Sequence, residues 1–487
     1  MSMKNKVQLI CYTDRFGGGN IAQLHQFLIT KMQSLFEGGV HLLPFFAPID
    51  GADAGYDPTN HKKVDERLGN WDDITSMAQD FDLLVDLIVN HVSDKSEEFQ
   101  DVAKHGSASE YFDLFLTKDK VFKNGATEEG ISEIYRPRPH RPFSVRKLKN
   151  GEIHEFWTTF SRYQLDIDVK SEQGKNYLHN IFEIFAKSGV KTVRLDAVGY
   201  AIKQENTSCF MLPETLDFIK ELTDIAHNYG METLGEIHSH YETQIDISNR
   251  VDYVYDFALP PLILYTLFSK SSTRLKQWWA ISPRNCITVL DTHDGIGVVD
   301  VASYEDKPGI LSDQEVHDLV EQIHQNSNNT SKKATGTAAS NLDLYQVNCT
   351  FYEALGKNDD MYLMARAIQF FAPGIPQVYY AGLLAAENDM ELLESTKVGR
   401  DINRPYYRFD EIEKALEKKV VKDLMKMIEF RNTHPSFQGH FRIADCGDGH
   451  LHLRWEKAEH WAELDMDLSA MEMNIKYSDQ ENHYRVL

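Results

Sequence analysis

Cysteine is scarce in this sequence, and long apolar runs are missing from it. The five cysteines in 487 residues show neither CxxC spacing nor a histidine at the spacing of a metal site, and they are Cys11, Cys209, Cys286, Cys349 and Cys446. We therefore expect reduced thiols. The N-terminus has no apolar signal region, and no stretch approaches the ~18 apolar residues of a membrane span. These absences predict a cytoplasmic location and no membrane partner.

Positive charge is also in short supply. Lys and Arg number 51 against 74 Asp and Glu, which gives a net charge of -23. Such a charge repels nucleic acid over most of the surface, so no nucleic-acid partner is predicted. No glycine-rich phosphate loop and no carboxylate cluster for a cation are present. We expect neither a cofactor nor a metal, and an anionic substrate would need locally clustered cations.

Short apolar, β-branched segments alternate with amphipathic helical segments along the chain. This is the pattern of successive βα units around a parallel sheet. Eight strands are predicted, which is the number that closes a (β/α)8 TIM barrel of the α/β class. The predicted strands are 6–12, 39–45, 83–89, 190–197, 232–237, 251–257, 286–292 and 374–381.

Two connections between predicted strands are too long for a helix and two loops. They follow the third and the seventh strand, and we interpret them as inserted domains. Near the C-terminus, alternating runs such as HLHLRW indicate a small β-domain. The predicted division is barrel 1–88, inserted domain 89–169, barrel 170–295, second inserted domain 296–356, barrel 357–437 and C-terminal β-domain 438–487.

Polar residues stand at the C-terminal ends of four predicted strands, where a barrel of this kind places its reactive groups. In chain order they are His91, Arg194, Asp196, Glu236, His293 and Asp294. A single carboxylate at a strand end is more often a helix cap than a catalyst. Three carboxylates and two histidines at four strand ends are more than capping explains, and they predict a site. We expect the histidines to be neutral hydrogen-bond partners.

These carboxylates suit retaining glycosyl transfer, which needs a carboxylate nucleophile and a second carboxyl group that protonates the leaving oxygen. We predict Asp196 as the nucleophile, with a pKa lowered by Arg194 on the same strand face. Glu236 is then the acid/base, begins protonated and is tuned by His238. Asp294 is predicted to stabilise the oxocarbenium-like transition state.

The segments DLIVNH, VRLDAVGY, GEIH and VLDTHD resemble the four signature regions of the α-amylase superfamily, glycoside hydrolase family 13, in order and spacing. Over essentially its whole length the chain resembles the sucrose phosphorylases, notably in DGADAGYDP at 50–58, YRPRP at 135–139, NLDLYQVN at 341–348 and GRDINR at 399–404. The resemblance implies transfer of glucose from sucrose to inorganic phosphate with retention, giving glucose 1-phosphate and fructose.

The resemblance assigns the roles of nucleophile, acid/base and stabiliser to the same three carboxylates. It implies a glucosyl pocket formed by Asp53, Tyr56, His91, Phe160, Arg194, His293 and Arg400, with Asp53 and Arg400 at its closed end. It places the acceptor side, for fructose and phosphate in turn, at Tyr135, Arg138, Gln164, Tyr200, Leu342, Asp343, Tyr345 and Gln346. Many superfamily members bind calcium near the residue matching Asn90, but sucrose phosphorylases are not calcium enzymes.

The sequence departs from the family pattern at three places. Tyr56 stands where phenylalanine is usual, His140 and Arg141 where small or apolar residues are frequent, and Pro405 where histidine is common. The added cation Arg141 keeps phosphorolysis of sucrose 6'-phosphate or of glucosylglycerol open as sister activities. A family 13 hydrolase or transglucosidase and a non-catalytic sugar-binding relative are further alternatives. The family also leads us to expect a homodimer.

Overall fold

The computed structural model describes residues 2–137, 140–335, 346–479 and 484–486, and at its centre is a closed barrel of parallel strands. Strands β1 to β8 are Gln8–Cys11, Gly39–Leu42, Leu83–Ile88, Thr192–Asp196, Glu232–Gly235, Tyr253–Asp256, Cys286–Thr288 and Ile375–Tyr379. They follow one another round the barrel in chain order, and β8 pairs with β1. The predicted (β/α)8 fold is confirmed.

Each predicted strand is present, but each is shorter than predicted. The seventh was predicted over 286–292, whereas β7 is Cys286–Thr288. Asp196 is the last residue of β4, while Glu236 and Asp294 lie in the loops after β5 and β7. The apolar pattern continues into these loops because their side chains are buried against the pocket, so hydrophobicity alone overestimates strand length.

Helices cover the outside of the barrel. The longer ones are Ile21–Lys31, Trp71–Met77, Glu97–His105, Glu172–Lys187, Pro213–Asn228, Tyr241–Ile247, Leu259–Ser269, Thr273–Ile281, Asp313–Asn326, Asp359–Phe371, Met390–Thr396, Phe409–Leu416 and Lys419–Thr433. Shorter helices are Lys118–Val121, Glu128–Ser132, Thr330–Thr335, Phe351–Ala354 and Tyr380–Leu383. In the described part of the chain no helix is long and apolar enough to span a membrane.

The chain between β3 and β4 carries two small antiparallel pairs. One is the hairpin Phe143–Lys147 with Ile153–Trp157, and the other joins His91–Ser93 to Gln164–Asp166. In the second pair His91 lies opposite Asp166, which brings Gln164 back to the end of β3. The insertion therefore returns residues to the rim of the barrel.

Beyond the barrel, the C-terminal residues form an antiparallel sheet. Its strands β9 to β13 are His440–Ile443, His450–Lys457, His460–Asp467, Glu472–Ser478 and Tyr484–Val486. Alternate residues of β10 are buried, and Trp455 donates from Nε1 to the carbonyl of Phe371 at 2.8 Å. The second long connection is closed by Ile296–Gly297, which pairs with Gln346–Val347.

Candidate active site

The three predicted catalytic carboxylates, Asp196, Glu236 and Asp294, line one pocket at the C-terminal end of the barrel. Arg194 contacts two of them. Its Nη1 donates to Oδ1 of Asp196 at 2.8 Å, and its Nη2 lies 3.6 Å from Oε1 of Glu236. Glu236 also accepts from the backbone nitrogen of Ala197 at 3.4 Å. One guanidinium thus connects the proposed nucleophile to the proposed acid.

The charge state of Asp196 differs from the expectation drawn from the sequence. Burial raises the pKa of Asp196 well above its ordinary value, Arg194 lowers it, and the neighbouring carboxyl of Glu236 raises it. The expected net lowering was wrong, because the strand-face argument took no account of desolvation. The carboxyl of Glu236 is thus close enough to act on that of Asp196. Within that pair, the shorter contact of Arg194 with Asp196 favours the negative charge on Asp196.

The buried carboxylate of Asp86 holds Arg194 in place. Nη1 of Arg194 and the hydroxyl of Tyr56 both donate to Oδ1 of Asp86, the latter at 3.2 Å, and Nε2 of His41 lies 2.8 Å from Oδ2. Burial raises the pKa of Asp86, but Arg194 and His41 outweigh it and bring the pKa to about 2. The sequence analysis gave Asp86 and His41 no role, although a charged residue inside an apolar strand was the available signal.

Asp294 is paired with arginines from the GRDINR segment. Nη1 of Arg400 lies 2.7 Å from Oδ1 of Asp294 and 3.7 Å from Oδ2 of Asp53. Arg404, which the sequence analysis left without a role, lies 3.4 Å from Asp53 and donates from Nε to the carbonyl of His293 at 2.8 Å. Burial raises the pKa of Asp294, but these cations together hold it well below its usual range. Asp294 is therefore ionised.

Aromatic and histidine side chains form one wall of the pocket. The ring of Tyr56 stacks on that of His293, with centroids 4.7 Å apart and 11° between the planes. Nε2 of His91 lies 3.0 Å from the carbonyl oxygen of Tyr56 and 3.1 Å from Nε2 of Gln164. Phe160 packs 5.1 Å from His91. Burial lowers the pKa of both histidines, to about 3 for His293, so both are neutral at pH 7 as expected.

On the acceptor side, the structure describes four of the eight predicted residues. Tyr200 stacks on Tyr135 at 6.2 Å, and Oε1 of Gln346 accepts from the backbone nitrogen of Gly295 at 3.3 Å and from Arg400 at 3.4 Å. Arg138, Leu342, Asp343 and Tyr345 lie outside the described residues. Four lining residues were not predicted as site residues, and they are Pro137, Ala197, Phe210 and Ile237.

Of the residues that depart from the family pattern, Tyr56 and His140 make side-chain hydrogen bonds, whereas nothing in the structure explains Arg141 or Pro405. The hydroxyl of Tyr56 is used in the contact with Asp86. His140 bridges two backbone carbonyls, those of Arg141 at 2.7 Å and Phe160 at 2.8 Å, while the Arg141 side chain is exposed. The carbonyl of Pro405 accepts from the hydroxyl of Tyr380 at 2.7 Å.

Beside Asn90, where the family resemblance drew attention to calcium, the structure places the ammonium group of Lys203. Its Nζ lies 2.7 Å from Oδ1 of Asn90 and 2.5 Å from Oδ2 of Asp166, and it donates to the carbonyl of Tyr200. Thr159 donates to both oxygens of Asp166, from its backbone nitrogen and its hydroxyl. A buried side-chain cation therefore joins the end of β3, the first insertion and the loop after β4.

Glu236, His238 and Asp294 bring potential ligand atoms within 4.8 Å of one another. That spacing alone would permit a three-ligand metal site. However, Arg400 is already paired with Asp294, and Asp300 lies 2.9 Å from His238. Asp294 and His238 therefore already have partners within the protein. We assign no metal here.

The comparisons with known proteins agree with this geometry. The protein-family model named Alpha amylase, catalytic domain, matches residues 26–283 of this chain. This chain belongs to the α-amylase superfamily. A sucrose phosphorylase of Agrobacterium vitis is 55% identical over 98% of both chains, and one of Bifidobacterium adolescentis is 50% identical over 93% of this chain and 90% of the relative. A glucosylglycerol phosphorylase of Marinobacter adhaerens is 40% identical over 99% of this chain and 98% of the relative.

Solved structures give the same result. The crystal structure of sucrose 6F-phosphate phosphorylase from Thermoanaerobacter thermosaccharolyticum superposes with a TM-score of 0.92 at 40% identity, covering 100% of this chain and 98% of that one. An α-amylase from H. orenii gives a TM-score of 0.65 at 14% identity, covering 95% of this chain and 89% of that one, which supports the fold alone. The fold is thus shared with an α-amylase of low identity, whereas the high sequence identity over nearly the whole chain is to phosphorylases.

Proposed function

We propose that this chain is a sucrose phosphorylase, a glycosyltransferase that passes glucose from sucrose to inorganic phosphate with retention of configuration. The observation that carries the proposal is the pocket in which Asp196, Glu236 and Asp294 meet, in a chain similar over nearly its whole length to two sucrose phosphorylases. The three carboxylates match the requirements of double displacement, and the similarity supplies the substrate class.

In the first displacement, an oxygen of the Asp196 carboxylate attacks the anomeric carbon of the glucosyl unit. The bond to the fructosyl oxygen breaks, and the proton held by Glu236 passes to that oxygen, so fructose leaves and a glucosyl ester remains. Asp294, ionised and held by Arg400, stabilises the positive charge that develops on the sugar ring. Arg194 orients the nucleophile and carries positive charge beside both carboxylates.

In the second displacement, an oxygen of monohydrogen phosphate attacks the same carbon from the face that fructose left. The ester bond to Asp196 breaks and regenerates the carboxylate, while Glu236 accepts the proton of the phosphate. The product is α-glucose 1-phosphate, and two inversions give net retention. Both proton transfers run through one carboxyl group, so the enzyme returns to its starting state.

Asp53 and Arg400 support a pocket that accepts a single glucosyl unit. Their side chains lie 3.7 Å apart, and Arg404 adds a second cation 3.4 Å from Asp53. Asp53 has a φ of 54°, in the left-handed region that non-glycine residues rarely adopt. Such strain is typical of functional positions. We propose that this end is closed, so that a longer polymer cannot pass through it.

Product analysis tests the proposal directly. Purified protein is incubated with sucrose, with and without phosphate, and glucose, fructose and glucose 1-phosphate are quantified. We expect phosphate to raise turnover and to divert glucose into α-glucose 1-phosphate. Equal release of free glucose in both reactions would instead identify a hydrolase, and no turnover would favour a non-catalytic relative.

Sucrose 6'-phosphate phosphorolysis is the second candidate. It is favoured by the whole-chain superposition on a sucrose 6F-phosphate phosphorylase and by the exposed cation Arg141. Arg141 directly follows His140, whose Nε2 lies 2.8 Å from the carbonyl oxygen of Phe160. Comparing kcat/KM for sucrose, sucrose 6'-phosphate and glucosylglycerol decides among the three donors. We expect the highest value with sucrose, and a higher value with either rival would replace our assignment.

Three further properties are proposals that separate experiments address. A cytoplasmic location is tested by cell fractionation, and a homodimer by size-exclusion chromatography with light scattering. The limits of the inserted domains, 89–169 and 296–356, are tested by limited proteolysis. We expect the first cuts to fall at these limits or in loops within the insertions.

A further inference from the structure

His238 and Asp300 form a buried pair on the wall of the pocket, and neither takes part in the two displacements proposed above. His238 lies two residues after Glu236, and Asp300 lies just beyond the short strand Ile296–Gly297. Nδ1 of His238 is 2.9 Å from Oδ2 of Asp300, whose Oδ1 accepts from the backbone nitrogen of Ser239 at 3.2 Å. A pocket-lining histidine is therefore hydrogen-bonded to a carboxylate that is only 1% exposed.

The surrounding residues hold the imidazole in one orientation. Its ring lies parallel to that of Phe257, with centroids 3.9 Å apart and 17° between the planes. A Cβ atom at Gly297 would come within 2.3 Å of Asp300 Oδ2 and 2.9 Å of His238 Nδ1, so a side chain there would displace the pair. With Nδ1 directed to Asp300, Nε2 lies 4.0 Å from Oδ2 of Asp294.

Among the described residues, three carboxylates face His238. Asp300 contacts Nδ1, Glu236 precedes it in the same loop, and Asp294 faces Nε2, with Arg400 as the cation on Asp294. Burial lowers the pKa of His238, but these three carboxylates raise it by more, so the net pKa lies above that of an ordinary histidine. The imidazolium consequently persists to higher pH than in a free histidine.

We propose that Asp300 is a positioning residue that keeps His238 positively charged, and that this imidazolium admits the phosphate anion to a pocket lined by carboxylates. The inference rests on the proposed phosphorylase function. An anion that approaches the glucosyl ester meets the negative charges of Glu236 and Asp294, which repel it. A buried cation held in the wall offsets that repulsion, whereas a neutral acceptor such as fructose gains little from it.

Asp300→Asn tests this role because it keeps the shape of the pair and removes its charge. We expect the KM for phosphate to rise about tenfold near neutral pH, because loss of the Asp300 charge lowers the protonated fraction of His238. The value of kcat at saturating phosphate should change by less than about threefold. The pH at which the phosphate KM begins to climb should be lower than in the wild type. Asp306→Asn, which removes an exposed charge from the same insertion, is the matched control.

A double-mutant comparison separates this mechanism from a structural effect. If Asp300 acts through the imidazolium, adding Asp300→Asn to His238→Gln changes the phosphate KM by less than about twofold. In His238→Gln alone, the KM for phosphate should no longer rise with pH as it does in the wild type. This measurement tests the role of the imidazolium even if Asp300→Asn does not fold.

The proposal is overturned by an unchanged phosphate KM in Asp300→Asn, by effects of the two substitutions that multiply, or by equal losses in phosphorolysis and phosphate-independent hydrolysis. A wild-type protein that makes no glucose 1-phosphate would refute the proposed function instead. The two failures are therefore distinguishable.

Discussion

Arg194 stands two residues before Asp196 on β4, and its guanidinium donates to the Asp196 carboxylate at 2.8 Å. Alternation along a strand places both side chains on the inner face of the barrel. The same guanidinium donates to the buried Asp86, so the position of the cation is fixed before any substrate binds. The guanidinium favours the charged form of Asp196, in opposition to burial, which favours the neutral form.

Asp196→Ala should abolish turnover, since without this carboxylate no glucosyl ester forms. We expect sucrose consumption, with or without phosphate, to fall by at least about 10⁴-fold. Asp119→Ala, which removes an exposed carboxylate, is the control and should retain wild-type rates. Activity of Asp196→Ala clearly above background would remove Asp196 from the role of nucleophile.

Glu236→Gln should slow the departure of fructose far more than that of fluoride. A fluoride leaving group needs no proton, whereas the fructosyl oxygen does, and general acid catalysis is worth about 10² to 10⁴ in rate. The measurement compares glucosyl-enzyme formation from sucrose and from α-glucosyl fluoride in the wild type and the variant. Equal losses on the two donors would argue that Glu236 is not the acid.

The sequence predicted the barrel because eight apolar segments alternate with helices, and this periodicity depends only on local residue order. It also predicted the three carboxylates, since each stands at or just beyond the C-terminal end of a predicted strand. Arg404, Asp86 and Asp300 were missed. Their roles depend on pairing with residues far away along the chain, such as Asp53 with Arg404, and no local pattern reports such contacts.

The direction of the net pKa shift of Asp196 could not be predicted from the sequence, for a related reason. The direction of its shift is decided by burial within the assembled pocket, which outweighs the neighbouring arginine. Sequence spacing identifies a charge partner but not the amount of water that folding removes.

The acceptor residues Arg138 and Tyr345 lie outside the described residues and stay predictions.

Asp57→Asn should stabilise the protein above neutral pH. Burial, together with the nearby negative charge of Asp94, raises the pKa of Asp57 to about 7. The folded state therefore binds a proton that the unfolded state has already released between about pH 4 and 7, so stability falls as pH rises through that window. An amide carries no charge to desolvate, and the difference is on the order of 2 kcal/mol at pH 8.

The measurement for Asp57 is the melting temperature of wild type and variant at about pH 4 and pH 8. We expect the variant to melt a few degrees higher at the upper pH and nearly equally at the lower pH. A gain of the same size at both pH values would show that the charge of Asp57 is not the cause.

Lys203→Met should destabilise the protein because it leaves a buried carboxylate without its cation. The Lys203 ammonium lies 2.5 Å from Asp166, and both side chains are almost fully buried. Removing one partner of a buried ion pair costs about 3 to 5 kcal/mol, since the remaining charge is neither solvated nor paired. Lys187→Met, which breaks an exposed pair with Glu183, should change the stability very little, because water solvates both charges.

Chemical unfolding of both variants gives these free energies, and enzyme assays add a second readout. Because Lys203 also donates to the carbonyl of Tyr200 and contacts Asn90 at the end of β3, its loss should loosen the acceptor side and raise KM more than it lowers kcat. If Lys203→Met were as stable as Lys187→Met, the ammonium would not be holding the insertion to the barrel.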